Sequence, residues 1–183
     1  MNRVMSELLG NEEQAKMAAS LLLTLPGAPF IYYGEEIGMR GEKPDEHIRE
    51  PMLWYKNEGG GQTSWIEPRH DIGDDAPSVE AQIDDPDSLF NHYKTMIYLR
   101  RSLPALVHGD IEQSPLRESG IVAFKRSYNG EQLHVVHNLS RNELQLTLEE
   151  EESEYILFAT DEDYPLENGV LVIPPFTTII LSN

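Results

Sequence analysis

The sequence predicts an α+β protein in two parts, a single helix–strand–helix unit followed by an antiparallel β-sandwich. Three observations predict it. A nearly all-apolar helical stretch, Asn11 to Leu25, stops at Pro26-Gly27 and leads into a short apolar run, Ala28 to Tyr33. A second helix-spaced pattern ends before Pro104. Beyond it the chain turns into short β-like segments separated by turn signals.

The first helix is expected over residues 11–25. Asn11 is a good N-cap, Glu12 and Glu13 complement the positive end of the helix dipole, and Gln14 stands where a capping box places it. Its second half (Met17, Ala18, Ala19, Leu21, Leu22, Leu23, Leu25) is apolar on nearly every face, as in a helix buried on more than one side. The run 28–33 shows no alternation and reads as a strand buried on both faces, the pattern of a parallel sheet. One such unit cannot close a sheet, so the chain is expected either to borrow strands from elsewhere or to be a piece of something larger. Residues 34–87 form a long irregular loop containing Gly59-Gly60-Gly61 and several prolines. The last helix, 88–103, carries Leu89, Phe90, Tyr93, Met96 and Ile97 at helical spacing, with Arg100 and Arg101 near its negative end.

A boundary is expected near Leu106, dividing the chain into 1–106 and 107–183. In the second part, Gly120 to Tyr128 and Gln132 to Asn138 flank Asn129-Gly130, a strong two-residue hairpin signal. Leu144 to Leu148, Tyr155 to Ala159, Val170 to Ile173 and Thr177 to Leu181 complete the expected strands.

Charge and composition exclude several functions. Lys and Arg number 14 against 32 Asp and Glu, a net charge of −18 that disfavours nucleic-acid and membrane-surface partners. There is no cysteine, which excludes a disulfide scaffold, a thiolate nucleophile and a cysteine-ligated zinc site. The apolar stretch around Ala18 to Leu23 is too short to span a bilayer and follows Glu7, Glu12 and Glu13 rather than a basic leader. A soluble protein is expected, cytoplasmic in preference to secreted.

Few residues suggest chemistry. Glu35 and Glu36 stand at the carboxyl end of the expected strand, where parallel α/β folds build their sites, but adjacent side chains do not face each other across a substrate. A structural or substrate-lining role suits them better. Arg49 to Trp54 combines a forked cation, a stiffening proline and a large aromatic able to stack on a sugar; a surface loop pinned by one tryptophan fits equally well. Asp71, Asp74 and Asp75, and Asp161 to Asp163, lack the spacing of a calcium loop and read as solvated loops, as does the acidic run Glu149 to Glu152. His134 and His137, three apart on a strand, point to opposite faces and cannot share a metal. No metal or cofactor is expected.

In this order, these segments resemble the end of the α-amylase family of glycoside hydrolases. Leu25 to Gly38 looks like the passage into the eighth strand of that family's (β/α)8 barrel. Arg49 to Trp54 is similar to the R-x-P-x-x-W element of its oligo-1,6-glucosidase and neopullulanase-like branches. Ser88 to Leu106 looks like the last barrel helix, and the remainder matches the C-terminal sandwich. The resemblance implies the C-terminal part of a retaining α-glucan hydrolase acting on α-linked glucose oligosaccharides. It assigns Arg49, Tyr33, Glu35 and Trp54 to the substrate pocket, with Trp65 as a further wall or loop anchor. The family's three catalytic carboxylates match no position here, so the chain by itself is expected to be inert. Its expected partner is the upstream barrel portion, and the isolated chain is expected to self-associate. A non-catalytic carbohydrate-binding or scaffold module of the same family is the alternative.

Overall fold

The computed structural model describes residues 2–56, 59–148, 155–161 and 164–182. Their backbone forms two compact units, one of residues 1–16 with 29–96 and one of residues 17–28 with 97–183.

In the first unit, the short helix α1 (Val4–Glu7) precedes α2 (Glu12–Thr24), which passes on into the second unit. Asn11 caps α2 as expected, its Oδ1 accepting the Gln14 N–H at 2.8 Å. A single 3-10 turn, Glu35–Ile37, follows, then α3 (Asp45–Ile48) and α4 (Val79–Gln82). Ser78 caps α4 by accepting the Ala81 N–H at 3.2 Å. Among the described residues the expected long loop therefore contains three short helical turns, and α4 is the one with a side-chain cap. The long helix α5 (Leu89–Ser102) begins in this unit and continues into the second. Ser88 is its cap, Oγ accepting the Asn91 N–H at 3.2 Å.

The expected strand at 28–33 does not form: no ladder hydrogen bond engages these residues, and Phe30 is 89% exposed. The reason is pairing rather than propensity. A parallel strand is stabilised only by neighbours on both edges, and no other strand lies in this unit among the described residues.

Among the described residues the second unit contains α6 (Pro104–His108), with proline at its first position, and eight strands: β1 (Asp110–Gln113), β2 (Ile121–Tyr128), β3 (Glu131–Asn138), β4 (Leu144–Thr147), β5 (Tyr155–Ala159), β6 (Leu166–Glu167), β7 (Val170–Ile173) and β8 (Thr178–Ser182). They build a five-stranded sheet, ordered β1-β2-β3-β8-β5, and a three-stranded one, β4-β7-β6, antiparallel throughout. The β2–β3 hairpin turns through Asn129 and Gly130, with φ of 49° and 89°, the pair of left-handed residues that a tight hairpin needs. β1 and β6 carried no sequence signal: β1 is exposed along its length and β6 is two residues long.

Alternation on β3 and β8 explains why both are buried almost throughout. Val136, Ile179 and Leu181 pack with Leu146, Leu171 and Ile173 of the smaller sheet. Leu133, Val135 and Ile180 point the other way, against Phe124 and Ala105 and Leu106 of α6. A sheet covered on both faces loses the polar-out pattern that marks a half-exposed strand. His134 and His137 are both buried and fall on opposite faces, as their spacing requires. The acidic run 149–152, and Glu162 and Asp163, lie outside the described residues.

Candidate functional site

The first unit is organised around a cation to which the sequence reading gave no role. Arg3 is buried, 1% exposed. Its Nε donates to the Ile48 carbonyl at 2.8 Å and its Nη1 to the Tyr33 carbonyl at 2.7 Å. The guanidinium lies 4.9 and 4.8 Å from the ring centres of Tyr32 and Tyr33, within cation–π range. Nη1 also stands 3.6 Å from Glu35 Oε1. Burial holds the Glu35 carboxyl above the usual carboxylate range, and the Arg3 charge opposes it only in part. Burial likewise raises the Tyr33 phenol, whose O–H donates to the Glu50 carbonyl at 3.0 Å.

Two buried carboxylates tie the adjoining loops. Glu50, 1% exposed, accepts the N–H groups of Arg69 at 2.9 Å and His70 at 3.3 Å, and lies 3.5 Å from His47 Nδ1. Asp71, expected to be solvated, is instead 5% exposed and accepts the Arg40 N–H at 2.8 Å. Burial pushes its carboxyl above the ordinary range. It is buried because its acceptors satisfy a loop N–H; its neighbours Asp74 and Asp75 are exposed as expected.

Of the residues assigned to a substrate pocket, Tyr33 and Glu35 therefore meet at Arg3. Arg49 points into solvent, its side chain 60% exposed and paired with Asp45 at 3.1 Å. Its backbone lies between the Ile48 and Glu50 carbonyls, both taken up by the Arg3–Tyr33 cluster. Trp54 is 46% exposed on a separate loop. Gln62 shapes that loop, donating to the Met52 carbonyl at 2.8 Å and accepting the Trp54 N–H at 3.1 Å, while the Leu53 and Trp54 carbonyls accept from Val79 and Glu80 at 3.0 Å. Trp65 is 58% exposed. Glu36 follows Glu35 in the same 3-10 turn, and the two do not form a facing pair: Glu35 is engaged by Arg3.

A pocket of about 310 Å3 in this unit is lined by Met5, Gly38, Arg40, Lys56, Asp74 and Gln82 among others, and by none of Tyr33, Glu35, Arg49 or Trp54. No group of three or more potential ligands for a metal occurs among the described residues. None of the described helices is long and apolar enough to cross a membrane.

Arg3, Glu50 and Asp71 escaped sequence reasoning because a lone charge in a polar stretch looks the same whether solvated or buried. The one available signal was their company: Arg3 lies among apolar Val4 and Met5, and Glu50 precedes Pro51.

Comparison with known proteins places these elements. A family profile described as "Alpha amylase, catalytic domain" matches residues 1–109, and one described as "Alpha-amylase SusG C-terminal domain" matches residues 121–180. Alpha-amylase 3 of Dictyoglomus thermophilum is 38% identical over 98% of the chain, which spans 36% of that relative. An oligo-1,6-glucosidase of Halalkalibacterium halodurans is 32% identical over 69% of the chain, 29% of its own length. The crystal structure of the alpha-amylase from H. orenii superposes over the whole chain with a TM-score of 0.89 at 39% identity, the match covering 38% of that protein. The chain thus spans 29–38% of the length of these relatives. Two profiles in sequence and an identity sustained from end to end agree: the chain belongs to the α-amylase family.

Proposed function

We propose that the chain serves a retaining α-glucan hydrolase, supplying the last part of the barrel (residues 1–106), the loop that shapes substrate specificity and the C-terminal sandwich (107–183). In this reading it supplies no catalytic carboxylate, and its contribution is to binding. The observation that carries the proposal is the 38% identity with an alpha-amylase over 98% of the chain. Arg49 and Trp54 are the groups free to meet a sugar, a half-exposed aromatic face and a solvent-facing guanidinium on tied-down loops.

The test is a chimera in which these 183 residues replace the matching segment of the Dictyoglomus alpha-amylase. The chimera is expected to hydrolyse maltoheptaose, whereas the 183-residue chain alone is not. Within the chimera, Arg49→Ala or Trp54→Ala is expected to raise KM about tenfold, the size of one lost polar or stacking contact, about 1–2 kcal/mol. A folded chimera without activity sinks the proposal.

The same reading predicts self-association of the chain by itself. Phe30, Tyr32 and Tyr33 are 89%, 43% and 38% exposed in a run that a barrel would cover. Multi-angle light scattering is expected to show species larger than one chain, with Phe30→Asp reducing them. A strict monomer at high concentration contradicts it.

A further inference from the structure

We propose that Arg3 is a positioning residue for glucan binding, holding the Ile48–Arg49 peptide directly and the Glu50–Pro51 peptide through Tyr33, so that the Arg49 guanidinium presents in one orientation; this rests on the reading of Arg49 given above. The geometry is a two-sided clamp. On one side the Arg3 Nε–H binds the Ile48 carbonyl at 2.8 Å. On the other, Arg3 fixes Tyr33 through its carbonyl at 2.7 Å and its ring at 4.8 Å, and the Tyr33 O–H in turn binds the Glu50 carbonyl at 3.0 Å. Residue 49 lies between the two clamped carbonyls.

The backbone of Arg3 is itself anchored, its N–H donating to the Gly41 carbonyl at 2.9 Å. Gly41 admits no side chain: a Cβ there would stand 2.6 Å from the His47 carbonyl oxygen and 2.9 Å from the Ile48 Cα. The turn at 32–35, the backbone at Gly41 and the end of α3 therefore converge on one buried guanidinium. Arginine is the residue suited to this work. Its planar fork reaches two carbonyls and stacks on two rings at once, whereas an ammonium on a flexible stem can hold one geometry or the other. A buried cation satisfied mainly by carbonyls and ring faces is costly to keep for stability alone. Here it fixes a loop that presents the Arg49 guanidinium to solvent, its side chain 60% exposed.

Two experiments separate this role from general support. In the 183-residue chain, Arg3→Lys is expected to speed amide exchange at Glu35 and Arg49 at least tenfold, while the His92 amide of α5, bonded to Ser88 at 3.0 Å, is little changed. Unchanged exchange at Glu35 and Arg49 overturns the proposal. In the chimera, Arg3→Lys is expected to raise KM about tenfold with kcat altered less than about twofold, the signature of lost binding rather than lost chemistry. Combined with Arg49→Ala, it is expected to add almost nothing further to KM, because the group it positions is gone. Additive effects show that Arg3 acts elsewhere and reject the positioning role. An inactive chimera carrying the unaltered segment counts against the functional reading instead, and the exchange experiment still decides whether Arg3 holds the loop.

Discussion

Replacing Arg126 with alanine is expected to destabilise the second unit by about 3–5 kcal/mol, the cost of removing a buried charged partner from groups that depend on it. Arg126 is fully buried on β2. Its Nη1 donates to the Thr24 carbonyl at 2.6 Å, Nη2 to the Gly109 carbonyl at 2.8 Å and Nε to the Asp110 carbonyl at 3.3 Å. Arg100 does the same for the Leu23, Leu25 and Gly27 carbonyls, at 2.7–2.9 Å. Between them the two arginines take up the Leu23 and Thr24 carbonyls at the C-terminus of α2, where the helix dipole also favours positive charge, and the Leu25 and Gly27 carbonyls just beyond it. Burial, then the nearby Arg100 charge, lowers the Arg126 pKa. Without the side chain, three carbonyls lose their donor in a site closed to solvent. Thermal unfolding followed by circular dichroism is expected to show a Tm lower by more than about 12 °C. Arg126→Lys is expected to recover little, since one ammonium cannot span three acceptors. A Tm within about 3 °C of the parent contradicts this account.

Mild acid is expected to weaken the same unit through His137. The imidazole is fully buried, with Nδ1 2.8 Å from the Thr178 hydroxyl and Nε2 3.1 Å from the Thr24 hydroxyl. Thr24 donates its own proton to the Ser20 carbonyl at 2.8 Å, so the network places the histidine proton on Nε2 and leaves Nδ1 to accept from Thr178. The ring is therefore held neutral, and burial pushes its pKa down to about 3. The sign follows from linkage. Unfolded histidine takes up a proton below about pH 6.5 while the folded ring does not, so the stability is complete above that pH and is lost as pH falls toward 3. At about 1.4 kcal/mol per pH unit, the loss between pH 7 and 4.5 is on the order of 2–3 kcal/mol. Urea midpoints at the two pH values are compared between the parent and His137→Gln, because both undergo the same change in carboxylate charge. His137→Gln is expected to lose most of the additional acid sensitivity; an equal pH slope in parent and variant rules the mechanism out.

Legibility in the sequence followed the range of the interaction. The cap of α2, the Asn129-Gly130 turn and most of the sandwich strands were readable because neighbours within a few residues decide them. The segment 28–33 reads as a buried strand and remains unpaired, because its edges need strands that local sequence cannot supply. The pocket residues divided likewise. Arg49 and Trp54 were visible as residue types suited to sugars, while the grip of Arg3 on Tyr33 and Ile48 joins positions 30 and 45 residues apart.

By itself, the sequence determined the two long helices, the antiparallel sandwich, the acidic charge and the α-amylase resemblance, since periodicity, turn chemistry and ordered motifs are properties of short stretches. Only the tertiary structure decided which charges are buried. Arg3, Glu50, Asp71, Arg100 and Arg126 all lie within the fold, each satisfied in large part by backbone groups distant in sequence. Desolvation makes such a charge tolerable only where those partners converge, and convergence exists only once the chain has folded.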